Sequence, residues 1–124
     1  MKKIFTEKAP KPVGHYSQAV VHNDMVFVSG QLPIDPETGE RKAGSIEEQT
    51  EQCLKNIDEI LKAAGTSKNK VLKTTVYISD ILLWPKANEV YAAFFGEHCP
   101  ARAAVPIKEL PSGFKIEIEA VAYF

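Results

Sequence analysis

Phe114-Lys115-Ile116-Glu117-Ile118-Glu119-Ala120-Val121-Ala122-Tyr123-Phe124 closes the chain and alternates with a period of two. Side chains alternate across a sheet. Ile116, Ile118, Ala120 and Ala122 therefore share one small apolar face, suited to lie under helices. Glu117, Glu119, Val121 and Tyr123 share the other, half charged and half apolar. A fully solvated face rarely carries both Val121 and Tyr123, which argues for a cover. The rest of the chain supplies helices for one side of a sheet only, so a neighbouring subunit is the economical cover for the other.

That helix count comes from reading outward. Ala101 to Ile107 is a strand, joined to the last one through Leu110-Pro111-Ser112-Gly113. Before it, Asp80 and Pro85 punctuate the entry to a helix over about Pro85 to Phe95. Its face is Ala87, Val90, Tyr91 and Phe94, and Gly96 ends it. Val71 to Ile78 is a strand by β-propensity. Ser45-Ile46-Glu47-Glu48 fits a capping box, with Glu48 placed to reach back to the cap amide. The helix it opens carries Ile46, Cys53, Leu54, Ile57, Ile60, Leu61 and Ala64 on one face and stops at Gly65. Gly30 to Gly44, with two prolines and three glycines, is a long loop of the kind that often carries function. Ala19 to His22 and Met25 to Ser29 flank Asn23-Asp24 and read as a hairpin. Ile4 to Lys8 is a short first strand, after which Pro10, Pro12 and Gly14 break regular structure. The order is βββ-α-β-α-ββ. With too few helices for a doubly wound sheet, the expected class is α+β: one domain over residues 1–124, a mixed sheet with both helices on one face.

The 124 residues suit one domain, and 44% hydrophobic with 25% charged is ordinary globular composition. Fifteen basic against 16 acidic residues leave a formal charge of −1, so no global field draws nucleic acid or anionic lipid. Two cysteines make no disulfide framework. MKKIFTEKAP lacks the apolar run of a signal peptide, and no stretch approaches the roughly 18 apolar residues of a membrane span. A cytoplasmic location is the expectation.

Familiar site motifs are absent: no GxGxxG, P-loop, CxxC or HExxH. His15, His22 and His98 lie in separate segments, so no metal site is expected. Cys53 sits on an apolar helix face and reads as a structural thiol; Cys99 lies in the loop after the second helix. Arg102 follows Pro100-Ala101 and precedes Ala103, Ala104 and Val105. A guanidinium there either pairs with a structural carboxylate, snorkels to water, or clamps a small carboxylate ligand in bidentate fashion. Glu119 is either a solvated face residue or a proton-handling group, and Tyr16 either packs or contributes its hydroxyl.

Four segments bear together on that choice: GHYSQAV (14–20), VSGQLPIDPETGE (28–40), NEVYAAFF (88–95), and PARAAV (100–105) followed by LPSGFKIEIEAVA (110–122). They resemble the reactive intermediate deaminase (RidA, YjgF-like) family almost end to end. The resemblance implies a chorismate-mutase-like α+β fold, a homotrimer with clefts between subunits, and no cofactor. It implies hydrolysis of 2-imino acids such as 2-iminopropanoate, the tautomer of 2-aminoacrylate, to 2-oxo acids and ammonia. By the same resemblance Arg102 binds the substrate carboxylate, Glu119 and Tyr16 are catalytic, and Ser29, Gly30 and the main chain of Ala104 line the ligand. His15 stands where the family has a loop proline, which leaves the Tyr16 loop less rigid.

The chemistry suits these residues. A 2-imino acid offers its carboxylate as the one strong handle, and a planar, permanently charged arginine fixes it. Water must then attack C2 and ammonia must leave, which needs two proton movements and neither a metal nor a covalent nucleophile. Two other readings stay open. One is a non-catalytic carboxylate-binding regulatory trimer; the other is an RNA-acting translation inhibitor or ribonuclease, which the near-neutral charge disfavours.

Overall fold

The computed structural model describes residues 1–41 and 44–124; Lys42 and Ala43, inside the expected 30–44 loop, lie outside the described residues. The chain runs β1 (Lys2–Ile4), β2 (Ala19–His22), β3 (Met25–Gln31), α1 (Ile46–Ala64), β4 (Val71–Ile78), α2 (Trp84–Phe95), β5 (Ala101–Pro106) and β6 (Ile116–Tyr123). The strands form one six-stranded sheet in the order β1-β2-β3-β6-β4-β5. Every neighbouring pair is antiparallel except β4 with β5.

This topology explains the single helical layer. β3 and β4 both run antiparallel to β6, so α1 is a crossover between parallel strands, as α2 is between β4 and β5. Both crossovers step the same way across the sheet. The common right-handed rule then puts both helices on the same face. Under them lie Ile116, Ile118, Ala120 and Ala122 of β6, all buried, as the alternation requires. Leu54, Ile57, Ile60 and Leu61 of α1 are at most 1% exposed, and each contributes about 1.5–3 kcal/mol by leaving water.

The local signals act as their chemistry demands. Ser45 Oγ accepts from the Glu48 amide at 3.2 Å and caps α1. Gly65, at φ 90°, ends the helix in the left-handed region, with its amide on Lys62 O and that of Thr66 on Leu61 O. Asn23, at φ 52°, turns the β2–β3 hairpin.

Three expectations shift. The first strand is Lys2–Ile4 rather than Ile4 to Lys8. The cause is Gln18, a buried side chain that accepts from the Thr6 amide at 2.7 Å and donates to Thr6 O, Ala9 O and Pro10 O, pulling that segment into a loop. The buried face of α2 is Ala87, Tyr91 and Phe95, with Val90 and Phe94 partly covered. Finally, α1 buries Gln49, Thr50, Gln52 and Asn56 beside its apolar stripe. Asn56 Nδ2 donates to Leu32 O at 3.2 Å and Ile34 O at 3.0 Å, which ties the loop after β3 to the helix. Asn56→Ala strands both carbonyls and is expected to lower stability by about 1–3 kcal/mol, read by urea unfolding.

Candidate functional site

The expected site residues fall into two groups on opposite faces of the sheet. Register shows this directly. Arg102 lies opposite Thr74, which lies opposite Ala120, and both of those are buried under the helices. Glu119 lies opposite Thr75, which lies opposite Ala103, on the face the helices leave open. Alternation puts Ala104 with Arg102, and Glu117 with Glu119.

On the helix side, Arg102 is exposed on the edge strand β5 and its guanidinium is held from three directions. Nη1 donates to Asn88 Oδ1 at 2.8 Å. The guanidinium stacks over Trp84 at 4.6 Å and over Tyr91 at 4.8 Å from the ring centroids. Trp84, Asn88 and Tyr91 are spaced i, i+4, i+7 on α2 and so form one stripe. Tyr91 is itself fixed by a 2.7 Å hydrogen bond to Thr74 Oγ1, and burial raises its pKa against the opposing pull of that bond and of Arg102. Among the described residues no carboxylate pairs with Arg102, so its clamp is neutral and its positive charge stays available. A cavity of about 310 Å³ opens beside it, walled by Asn88, Tyr91, Phe95, His98 and Cys99. Cys99 is exposed; Cys53 is buried, and burial pushes its thiol well up.

On the open side, β3 bulges between Val28 and Gln31, bringing Ser29 and Gly30 beside β6. Gly30 earns its place here: a methyl on it would collide with Glu117 Oε1 and stand 3.0 Å from Cδ. The Glu117 carboxylate thus fills the space a side chain at position 30 would take. Glu117 is half-buried, and burial first, then the charge of Glu119, raises its pKa. Glu119 instead accepts from the Tyr77 hydroxyl at 3.3 Å. A groove of about 240 Å³ beside it is walled by Phe27, Lys73, Thr75 and Val121.

Ser29 is fully engaged within the chain. Its amide donates to Gln18 O at 3.0 Å, its hydroxyl to Ser17 O at 2.6 Å, and its carbonyl accepts from Gln31 Nε2 at 3.1 Å. Its contribution is to dock the 14–18 loop on the bulge. That loop presents Tyr16, 51% exposed, with its ring against Gly14. Ser29, Gly30 and Glu117, with the docked 14–18 loop that carries Tyr16, are thus one candidate half-site, and Arg102 with Ala104 the other; a single sheet keeps Arg102 and Glu117 apart.

Glu117 and the Arg102 clamp are candidates that the sequence pattern does not single out. Alternation puts Glu117 and Glu119 on one face without telling them apart; what distinguishes Glu117 is its contact with Gly30 of β3. The 84/88/91 stripe was visible as spacing but had no partner assigned. Among the described residues no cluster of His, Cys, Asp or Glu is arranged to hold a metal, and no helix is long and apolar enough to cross a membrane.

Residues 6–124 match the family model described as Endoribonuclease L-PSP. A RutC family protein from Pyrococcus horikoshii is 56% identical over 97% of this chain and 95% of its own length. The human protein named 2-iminobutanoate/2-iminopropanoate deaminase is 47% identical over 96% of this chain and 87% of its own length. The crystal structure of Escherichia coli TdcF with bound serine superposes with a TM-score of 0.95 at 42% identity, covering 100% of this chain and 99% of that one. A match over residues 6–124 makes this chain a member of the Endoribonuclease L-PSP family, the YjgF/RidA proteins.

Proposed function

We propose that this protein is a cofactor-independent deaminase that hydrolyses 2-imino acids, such as 2-iminopropanoate and its 2-aminoacrylate tautomer, to 2-oxo acids and ammonia. The observation that carries the reading is the neutral clamp on Arg102: a guanidinium fixed by Asn88, Trp84 and Tyr91, with no carboxylate of the described chain beside it. A fixed, unpaired guanidinium is a binding site for a small carboxylate. The names of the mammalian relatives and the serine in the Escherichia coli structure support a ligand of that class.

Arg102 and the carboxylate half-site serve one substrate only if different copies supply them. The half-charged, half-apolar open face, with Phe27 and Tyr123 exposed, suits a second copy. The assembly is a homotrimer in which Arg102 and the Ala104 main chain of one copy face Tyr16, Gly30 and Glu117 of the next. Arg102 holds the substrate carboxylate. Water adds to C2 as a carboxylate takes its proton and passes it to the nitrogen, giving the carbinolamine; the same carboxylate then carries the new hydroxyl's proton to the nitrogen as the C–N bond breaks, and the 2-oxo acid and ammonia leave. The proton carrier is Glu117 rather than Glu119, because Glu117 lies against Gly30, beside the Ser29 that docks the Tyr16 loop, and its raised pKa suits a group that both takes and returns a proton. The Tyr16 hydroxyl assists in orienting the water.

An RNA-cleaving reading takes its support from the family description. The cavity beside Arg102 has that one arginine and no lysine in its wall, which suits a single carboxylate better than a chain of phosphates. The test couples a serine or threonine dehydratase to this protein and follows imine decay and ammonia release, with mass by light scattering. Imine decay accelerated by a particle of three chains is expected. Uncatalysed decay in the presence of a folded trimer would refute the activity, and a monomer mass would refute the composite site.

A further inference from the structure

Glu119 remains unassigned once Glu117 takes the proton, yet it is held in a definite place. It shares the open face with Glu117 two residues along β6, about 7 Å away at strand spacing. Tyr77, opposite Glu117 in register, donates its hydroxyl to Glu119 at 3.3 Å rather than leaving that carboxylate free to swing away. Gly30 confines Glu117 on the other side.

We infer that Glu119, fixed by Tyr77, is a positioning residue for the proposed reaction: its charge, locked beside Glu117, sets the pH at which Glu117 gains and loses its proton. The inference rests on the deaminase reading for its meaning, though its physical core does not. Like charges held close resist joint ionisation, so a fixed Glu119 carboxylate keeps Glu117 protonated to higher pH and makes it a stronger base once ionised. The raised pKa of Glu117, with burial as its larger cause and Glu119 as its second, agrees in direction.

Within the chain the other titratable neighbours leave this role to Glu119; in the proposed trimer Arg102 of the neighbouring copy faces Glu117 and pulls its pKa the other way, alike in wild type and in Glu119→Gln. Tyr77, from β4, has its own pKa raised by burial and then by Glu119. Lys73, also on β4, lies opposite Val121, a pair further along the sheet. Cys53, from α1, is buried beneath the strand and its thiol is pushed further up, away from the range where Glu117 titrates. From β3 the facing residues are Ser29 and Gly30, which carry no charge.

Glu119→Gln tests this with little structural disturbance, because the amide oxygen still accepts from Tyr77. In the assembled wild-type protein, ¹³C-carboxyl NMR gives the Glu117 titration midpoint, assigned by the signal lost in Glu117→Gln. In Glu119→Gln that midpoint is expected to fall by about 0.5–1 pH unit, the size of one like charge at this distance in a partly screened site. The acid limb of the imine-hydrolysis profile should move with it. The plateau kcat should drop only about two- to threefold, as a weaker base requires. The two profiles then cross, the variant being faster at low pH. Glu119→Asp, which keeps the charge, should restore most of the midpoint. An unmoved midpoint in Glu119→Gln would overturn the inference. A wild-type protein that leaves imine decay unchanged would overturn the deaminase reading instead, while the NMR midpoints still decide the Glu119 question.

Discussion

Replacing Arg102 with alanine is expected to lower kcat/KM for 2-imino acids by about 10²–10³-fold while leaving fold and assembly unchanged. The magnitude is that of two charge-assisted hydrogen bonds to a carboxylate, each about 1.5–3 kcal/mol, only part of which water replaces. The fold is spared because Arg102 is exposed on an edge strand and its partners, Asn88, Trp84 and Tyr91, lose no ion pair when it goes. Tyr91 keeps its bond to Thr74. Arg102→Lys keeps the charge but lacks the fork, and should recover only part of the loss, chiefly in KM. Steady-state kinetics with dehydratase-generated imine, beside light scattering and circular dichroism, read all of this. Turnover by Arg102→Ala within a few-fold of wild type would remove the carboxylate clamp from the mechanism.

Glu117→Gln is expected to separate catalysis from stability in opposite directions. Losing the proton carrier should lower kcat by about 10²–10⁴-fold. The same change should raise the melting temperature near pH 8. The sign follows from the raised pKa. Burial and Glu119 oppose the charged form in the folded state more than in the unfolded chain. Stability is therefore fullest below the ordinary carboxylate range and declines as pH rises through the folded-state pKa. The glutamine carries no charge to penalise, so its advantage is largest at alkaline pH and vanishes near pH 4. Melting curves across that range test the sign. Wild-type turnover in Glu117→Gln would return the proton-handling role to Glu119.

The fold was largely legible because its decisive signals are local. β4 runs from Val71 to Ile78 as β-propensity alone suggests, and β6 alternates without interruption. Ser45, Gly65 and Gly96 stop or start helices through backbone geometry that each can adopt without help from distant residues. The first strand was misread because Gln18, twelve residues from Thr6, captures that segment's backbone. No local pattern announces such a bond. The site divides the same way. Arg102 stands out as a cation among alanines. Its clamp depends on a stripe of α2 meeting an edge strand, and the contact of Glu117 with Gly30 depends on a bulge in β3, so both are tertiary facts.

One consequence follows from the sheet that carries Arg102 on one face and Glu117 on the other. In the proposed ring no chain owns a site; each lends half to the neighbour on either side. A copy damaged in both halves silences two sites, not one. Two copies damaged in different halves can still form one sound junction where their intact faces meet. Defects in such a chain are inherited by its junctions, and what selection tests is the pairing.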